Sequence, residues 1–262
     1  MGVGDEVLAA GQAQRHFDLT GEPSVIVDHR GQPRWHEIWT NNPAIVPPAA
    51  ATPQHHLIVN GPNCRPYIVY PFTAESGWTF NRSFRCADHV AKIYLTAPEQ
   101  ALGEQLRQAL GSYVLIEPWS KHANLRWPIE HWTALVAARP TINFVQHVHV
   151  QSRAAFIIPG VRLTIDATFR EACGLVAAAT TYIRGESGML HAAAALGART
   201  IALWGGCMDW TVMGGYAGQI GVGISHPPCG SYKPCAHCMQ TMREISVDRV
   251  LKVLDAVVAE SG

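Results

Sequence analysis

The sequence predicts an α/β fold in which a parallel sheet carries helices on both faces. From about residue 112 onward, short apolar runs alternate with helical stretches of roughly ten residues, the rhythm of successive strand–helix–strand units. The chain has 262 residues, 48% of them hydrophobic and 15% charged, enough for one large α/β domain or two small ones with a sizeable core. It contains neither an internal repeat nor a low-complexity linker.

The elements follow in order. "EVLAAGQAQRHF" (6–17) reads as a helix, with Gly2, Gly4 and Asp5 directly before it, and "PSVIVD" (23–28) as a short buried strand. Residues 29–90 are rich in Pro, Asn and aromatics and have weak periodicity, which predicts short strands such as "HHLIVN" and "PYIVYP" joined by long ordered loops. "APEQALGEQLRQALG" (97–111) is an amphipathic helix ending at Gly111. Then come the strand "YVLIEP", the helix "PIEHWTALVAARP" and the strand "INFVQHV". The helix "TFREACGLVAAAT", the strand "TYIRG", the helix "GMLHAAAALG" and the strand "RTIALWGG" follow after a loop. "SVDRVLKVLDAVVAE" closes the chain as a helix with Ser246 at its N-cap. Ligands of parallel sheets bind at the C-terminal strand ends, so the loops "IEPWSK", "IRGES" and "LWGGC" are expected to converge on one crevice.

Twenty basic residues balance twenty acidic ones, which argues against a nucleic-acid partner, because phosphate backbones need clustered Lys and Arg. No apolar run approaches the length of a membrane span, and the first residues lack the pattern of a secretion signal. Seven cysteines, three of them within ten residues, suit a reducing cytoplasm better than a disulfide framework.

Four places carry chemistry. In the first, Gly185 and Gly188 bracket Glu186 and Ser187 before a helix that starts near Met189. Backbone N–H groups there suit a phosphate and Glu186 suits ribose hydroxyls; the same residues also describe a tight, capped strand-to-helix turn. The glycines and Asp5 near the N-terminus make only an incomplete dinucleotide fingerprint, against an oxidoreductase, and equally describe a capped helix start. Lys121, Asn124 and Arg126 lie in the loop before a helix, where the two cations either neutralise a diphosphate leaving group or are simply solvated. Cys229, Cys235 and Cys238, near His226 and His237, have metal-ligand spacing for zinc or iron with the fourth ligand unassigned; reduced structural thiols or one adventitious disulfide are the other readings.

With these residues assembled, the chain resembles the family 9 glycosyltransferases, the ADP-heptose:lipopolysaccharide heptosyltransferases. The segments are "GVGDEVLAAGQAQ", "EIWTNNPAI", "SKHANLRWPIEHWTALV", "GESGMLHAAAALGARTIALWGG" and "PCAHCMQTMREISVDRVLKVL"; the fourth is the most specific. The resemblance implies a GT-B-like fold of two Rossmann-like halves: a reduced N-terminal acceptor domain (1–110) and a C-terminal nucleotide-sugar-binding domain (111–262). It implies an inverting, metal-independent transfer of a sugar, a heptose among the candidates, from a nucleotide-sugar to a saccharide or other hydroxyl acceptor. Asp5 stands where the family has its proposed base, and Lys121 and Arg126 are expected to stabilise the leaving diphosphate. Asn124, Gly185, Glu186, Ser187, Gly188, Met189, His191 and Gly205 fall in the donor-side motifs. The family's usual phosphate-contacting Lys is Leu125 here. No cofactor is expected for catalysis. A nucleotide-sugar-binding protein without turnover is the alternative function.

Overall fold

The computed structural model describes residues 2–72, 77–148, 157–231 and 233–260. Helix α1 spans Val3–Thr20, longer than the spacing predicts. Gly2 is its N-cap and donates to the Asp5 carboxylate (3.1 Å), so Asp5 belongs to the first helical turn and not to a loop before it. Strand β1 (Ser24–Val27) pairs in parallel with β2 (His56–Val59). Of "PYIVYP" only Ile68–Val69 forms a strand, β3, antiparallel to β4 (Thr79–Phe80). The prolines around this stretch lack the N–H a longer ladder needs.

Helix α2 (Ala97–Leu110) ends at Gly111 as expected, with φ +73°. The alternating elements then build a six-stranded, wholly parallel sheet in the order β10-β9-β8-β5-β6-β7. Its strands are β5 (Tyr113–Glu117), β6 (Asn143–Val148), β7 (Leu163–Asp166), β8 (Thr181–Gly185), β9 (Thr200–Leu203) and β10 (Gln219–Val222). The helices are α3 (Ile129–Ala137), α4 (Phe169–Ala178), α5 (Gly188–Ala195), α6 (Trp210–Met213), α7 (Ala236–Arg243) and α8 (Val247–Ala259). Ser246 caps α8 through its hydroxyl.

Successive strand residues point to opposite faces, and both faces are covered. Val114, Ile116, Ile183 and Ile201 pack with Trp132 and Leu135 of α3 and Val250 and Leu254 of α8. Tyr113, Leu115, Val145 and Tyr182 face α4 and α5. The edge strands β7 and β10 were not expected from the sequence, and neither were α6 and α7. "LTID" and "QIGV" are short and half-exposed (Leu163 41%, Ile220 37%), so they lack an apolar run. α6 is a single turn capped by Asp209. Helices α2 and α4 touch backbone to backbone: a Cβ on Gly103 would stand 2.3 Å from the Gly174 carbonyl oxygen. Among the described residues no helix is long and apolar enough to cross a membrane.

Candidate functional site

A cleft of about 690 Å³ opens where the N-termini of α1 and α5 face the C-terminal ends of β5, β6 and β8. Its closest point is Gly4 against Gly188, two residues from different ends of the chain. A Cβ on Gly188 would lie 2.6 Å from the Gly4 nitrogen, so any side chain there would separate the helices. The partial positive charges of both helix N-termini therefore meet at the cleft.

Asp5, buried at 8% exposure, lines the α1 side. Its Oδ1 accepts from Arg65 Nε (2.9 Å) and the Tyr67 hydroxyl (2.6 Å), and its Oδ2 from Arg65 Nη2 (3.1 Å) and the Gly2 N–H (3.1 Å). Four donors fill the roughly four lone-pair sites of a carboxylate. Burial and the Asp5 charge push the Tyr67 hydroxyl well above its ordinary pKa.

The α5 side differs in kind. Glu186, 7% exposed, lines the cleft and has no hydrogen-bond partner among the described residues. The Ser187 hydroxyl is shielded and unpaired as well. His191 is held by the Tyr216 hydroxyl at Nδ1 (2.7 Å), and its Nε2 lies 3.7 Å from Glu186, beyond hydrogen-bond length. Unpaired buried polar groups cost about 1–3 kcal/mol each unless a ligand or water completes them. The Gly188 and Met189 positions also line this wall.

At the strand ends lies a buried network the sequence reading missed. Glu117 of β5 accepts from the Tyr182 hydroxyl, from Arg184 Nη1 (2.7 Å) and from His147 Nδ1 (3.2 Å). Burial by itself opposes ionisation of Glu117, yet Arg184, His147 and Tyr182 outweigh it and hold the carboxyl at about 2. Glu117, His147 and Arg184 all line the cleft. The available signal was a polar residue ending each otherwise apolar strand: "YVLIEP", "INFVQHV" and "TYIRG".

The loop residues divide. Lys121 is exposed at the cleft rim. Arg126 instead donates to the Ser120 carbonyl (2.7 Å) and the Lys121 carbonyl (3.4 Å) and lies over the Trp119 ring, outside the cleft wall. Asn124 is likewise turned away: its amide donates to the Ser231 and Lys233 carbonyls (3.0 and 2.8 Å) and accepts from the Cys235 N–H (2.8 Å). All of its polar capacity goes into anchoring the cysteine loop. Gly185 packs against the Leu125 carbonyl and Gly205 against Met242 and Thr241, so both are packing positions next to the cleft. For Arg126 and Asn124 the reason is shared: backbone carbonyls within reach satisfy side chains that the sequence could assign only to a ligand or to solvent.

Cys229, Cys235 and Cys238 converge with His237, their four ligand atoms lying within 4.8 Å of one another. His237 thus supplies the fourth position, whereas His226 faces Glu244 (3.5 Å). Three thiols and an imidazole are a donor set for a tetrahedral zinc or iron ion. Cys229 Sγ stands 4.0 Å from Cys235 Sγ and 2.9 Å from Cys238 Sγ, so the Cys229–Cys238 pair has to open to reach the roughly 3.8 Å sulfur spacing of such a site. None of the four lines the cleft.

The family model for glycosyltransferase family 9 (heptosyltransferase) matches residues 84–233, more than half of the chain. No curated protein matches it. Among solved structures, a family 9 glycosyl transferase from Veillonella parvula is 13% identical, with a TM-score of 0.66 over 99% of this chain and 95% of the other. The iron-containing dodecameric glycosyltransferase TibC from enterotoxigenic E. coli is 14% identical, with a TM-score of 0.64 over 100% and 75%. The E. coli ADP-heptose lps heptosyltransferase II is 17% identical, with a TM-score of 0.50 over 65% of this chain; the chain spans about half (54%) of that enzyme. At these identities the structures show a shared fold, and the family match carries the assignment. The chain belongs to glycosyltransferase family 9, the heptosyltransferase family.

Proposed function

We propose that the protein transfers a sugar from a nucleotide-sugar to a hydroxyl acceptor, with inversion and without a catalytic metal. One observation carries this reading: Glu186, with His191 at 3.7 Å and no hydrogen-bond partner among the described residues, stands beside the Ser187 hydroxyl, unpaired among them as well, at the N-terminus of α5 in a 690 Å³ cleft, opposite Asp5. Glu186 suits ribose hydroxyls, and the meeting helix N-termini with Lys121 suit the diphosphate. An ADP-heptose donor is supported by the family and by the substrate in the name of the E. coli enzyme. The reduced region before α2 is assigned to the acceptor and the sheet region to the donor, in a reducing cytoplasm that suits seven free thiols.

In the proposed reaction the acceptor oxygen attacks the anomeric carbon, the carbon–oxygen bond to the diphosphate breaks, and the nucleoside diphosphate leaves. The acceptor proton passes to Asp5. Because the Asp5 carboxylate is fully hydrogen-bonded, the acceptor hydroxyl must first displace Tyr67 or Arg65 from Oδ1. The same saturation favours the second reading, a nucleotide-sugar-binding protein without turnover.

Asp5→Asn separates the two. Replacing the base should lower transfer by about 10²–10⁴-fold, while thermal-shift titration with ADP-, GDP-, UDP- and CMP-sugars shows donor affinity unchanged. Transfer at the parental rate removes Asp5 as the base. A parent that binds a donor but neither transfers nor hydrolyses it establishes the binding protein instead.

The Cys229–Cys235–His237–Cys238 cluster is proposed to hold one zinc or iron ion in a structural role, supported by its geometry and by the iron named for TibC.

A further inference from the structure

The cations around the cleft are not equally free. Arg65 is spent on Asp5 through Nε and Nη2. Arg126 is spent on loop carbonyls. Lys121 sits in solvent at the rim. Arg184 is only 5% exposed and lines the cleft at the end of β8. Its Nη1 donates to Glu117 (2.7 Å) and to the Tyr182 oxygen (3.2 Å), and its Nη2 makes a single long bond to the Trp119 carbonyl (3.3 Å). Its Nε is shielded and has no partner among the described residues. One edge of the guanidinium, Nε with Nη2, therefore remains almost unspent. That edge matches two oxygens of a phosphate in a side-on, bidentate pair, for which the shielding over Nε has to open.

The guanidinium is held in place from one side. Glu117 is itself fixed by the Tyr182 hydroxyl and by His147, whose Nδ1 lies 3.2 Å from the carboxylate. The Arg184 fork is thereby set at the strand ends, where ligands of parallel sheets bind.

We infer that Arg184, steered by Glu117, Tyr182 and His147, is the cation on which the diphosphate of the donor rests. This deepens the donor reading above and rests on it.

Calorimetric titration with inorganic pyrophosphate, with ADP, GDP, UDP and CDP, and with the matching nucleosides tests the assignment. The parent should bind pyrophosphate and one nucleoside diphosphate. The double variant Glu117→Gln/Arg184→Gln removes both buried charges together, avoiding an unpaired one. It should bind pyrophosphate and the nucleoside diphosphate about tenfold more weakly or worse, with nucleoside affinity unchanged. A folded double variant that binds pyrophosphate within about twofold of the parent overturns the inference and leaves the donor reading standing. If the double variant does not fold, Arg184→Lys decides, since it keeps the charge opposite Glu117 and removes only the side-on fork. That variant should bind pyrophosphate about tenfold more weakly with nucleoside affinity unchanged, and affinity within about twofold of the parent overturns the assignment of Arg184. A parent that binds no nucleoside diphosphate removes the donor reading, and the inference with it.

Discussion

The region before α2 and the region from β5 onward bury their apolar residues in different ways. From β5 onward the sheet has a core wholly its own on one face, from Val114 to Val257, closed by α3 and α8. Among the described residues before α2, the only separate cluster of buried residues is three valines, Val25, Val27 and Val46. Its larger side chains, Leu8, Trp39, Ile58 and Tyr67 among them, join the cluster that also contains Leu175 of α4 and Leu190 of α5. Two separate two-stranded sheets, one of them only two residues long, cannot bury enough apolar surface to stand alone. The smaller region is thus held by leaning on the larger one, and the cleft lies along the line where they meet. Asp5 and Glu186 both line that cleft, one from α1 and one from the turn before α5.

The largest test of this difference is Arg170→Ala. Arg170 of α4 binds the Glu99 carboxylate through Nε and Nη2 and also donates to the Glu37 and Tyr94 carbonyls (3.0 and 2.9 Å). Its hydrogen bonds hold Glu99 below the usual carboxylate range. Removing one partner of a buried pair costs about 3–5 kcal/mol. Denaturant unfolding should show a loss of that size in one cooperative transition; a loss below about 1 kcal/mol breaks the picture of a dependent region.

Gly188→Ala comes next. The new Cβ would stand 2.6 Å from the Gly4 nitrogen and 3.0 Å from its Cα, both backbone atoms that cannot swing aside. The expected cost is about 1–3 kcal/mol of stability, together with weaker nucleotide binding, measured by melting and titration on one sample. Parental values for both would show that the α1–α5 contact is loose.

The smallest effect belongs to the cysteine cluster. Its loop is already fastened by Cys229 N–H to Gly206, Gly230 N–H to Cys207, Trp78 N–H to Gly230 and the three Asn124 bonds, so the fold does not wait for a metal. Elemental analysis should find about one equivalent of zinc or iron in the parent and under about a tenth in Cys238→Ser, and chelation should lower Tm by roughly 2–4 °C, about 1 kcal/mol at this chain length. A metal-free parent returns the thiols to a plain structural role.

Much of the scaffold was legible in the residues. The helix–strand alternation after residue 112 marks the central strands of the sheet, because local hydrophobic period reports which faces are buried. Gly111 and Ser246 mark helix ends because caps are local chemistry. The turn before α5, with Glu186 and Ser187, stands out for the same reason. Tertiary structure alone decided how polar side chains are spent. Nothing near Asn124 in the chain shows that its partners are the Ser231 and Lys233 carbonyls, more than a hundred residues away. Asp5 meets Arg65 and Tyr67 across 60 and 62 positions, and Glu117 meets Arg184 across 67. Hydrogen bonds and charge depend on distance in space, which local sequence does not encode. The sequence by itself determined the central strands of the sheet, the helix caps and the polar turn before α5; the folded chain decided which of its charges are spent on its own backbone and carboxylates.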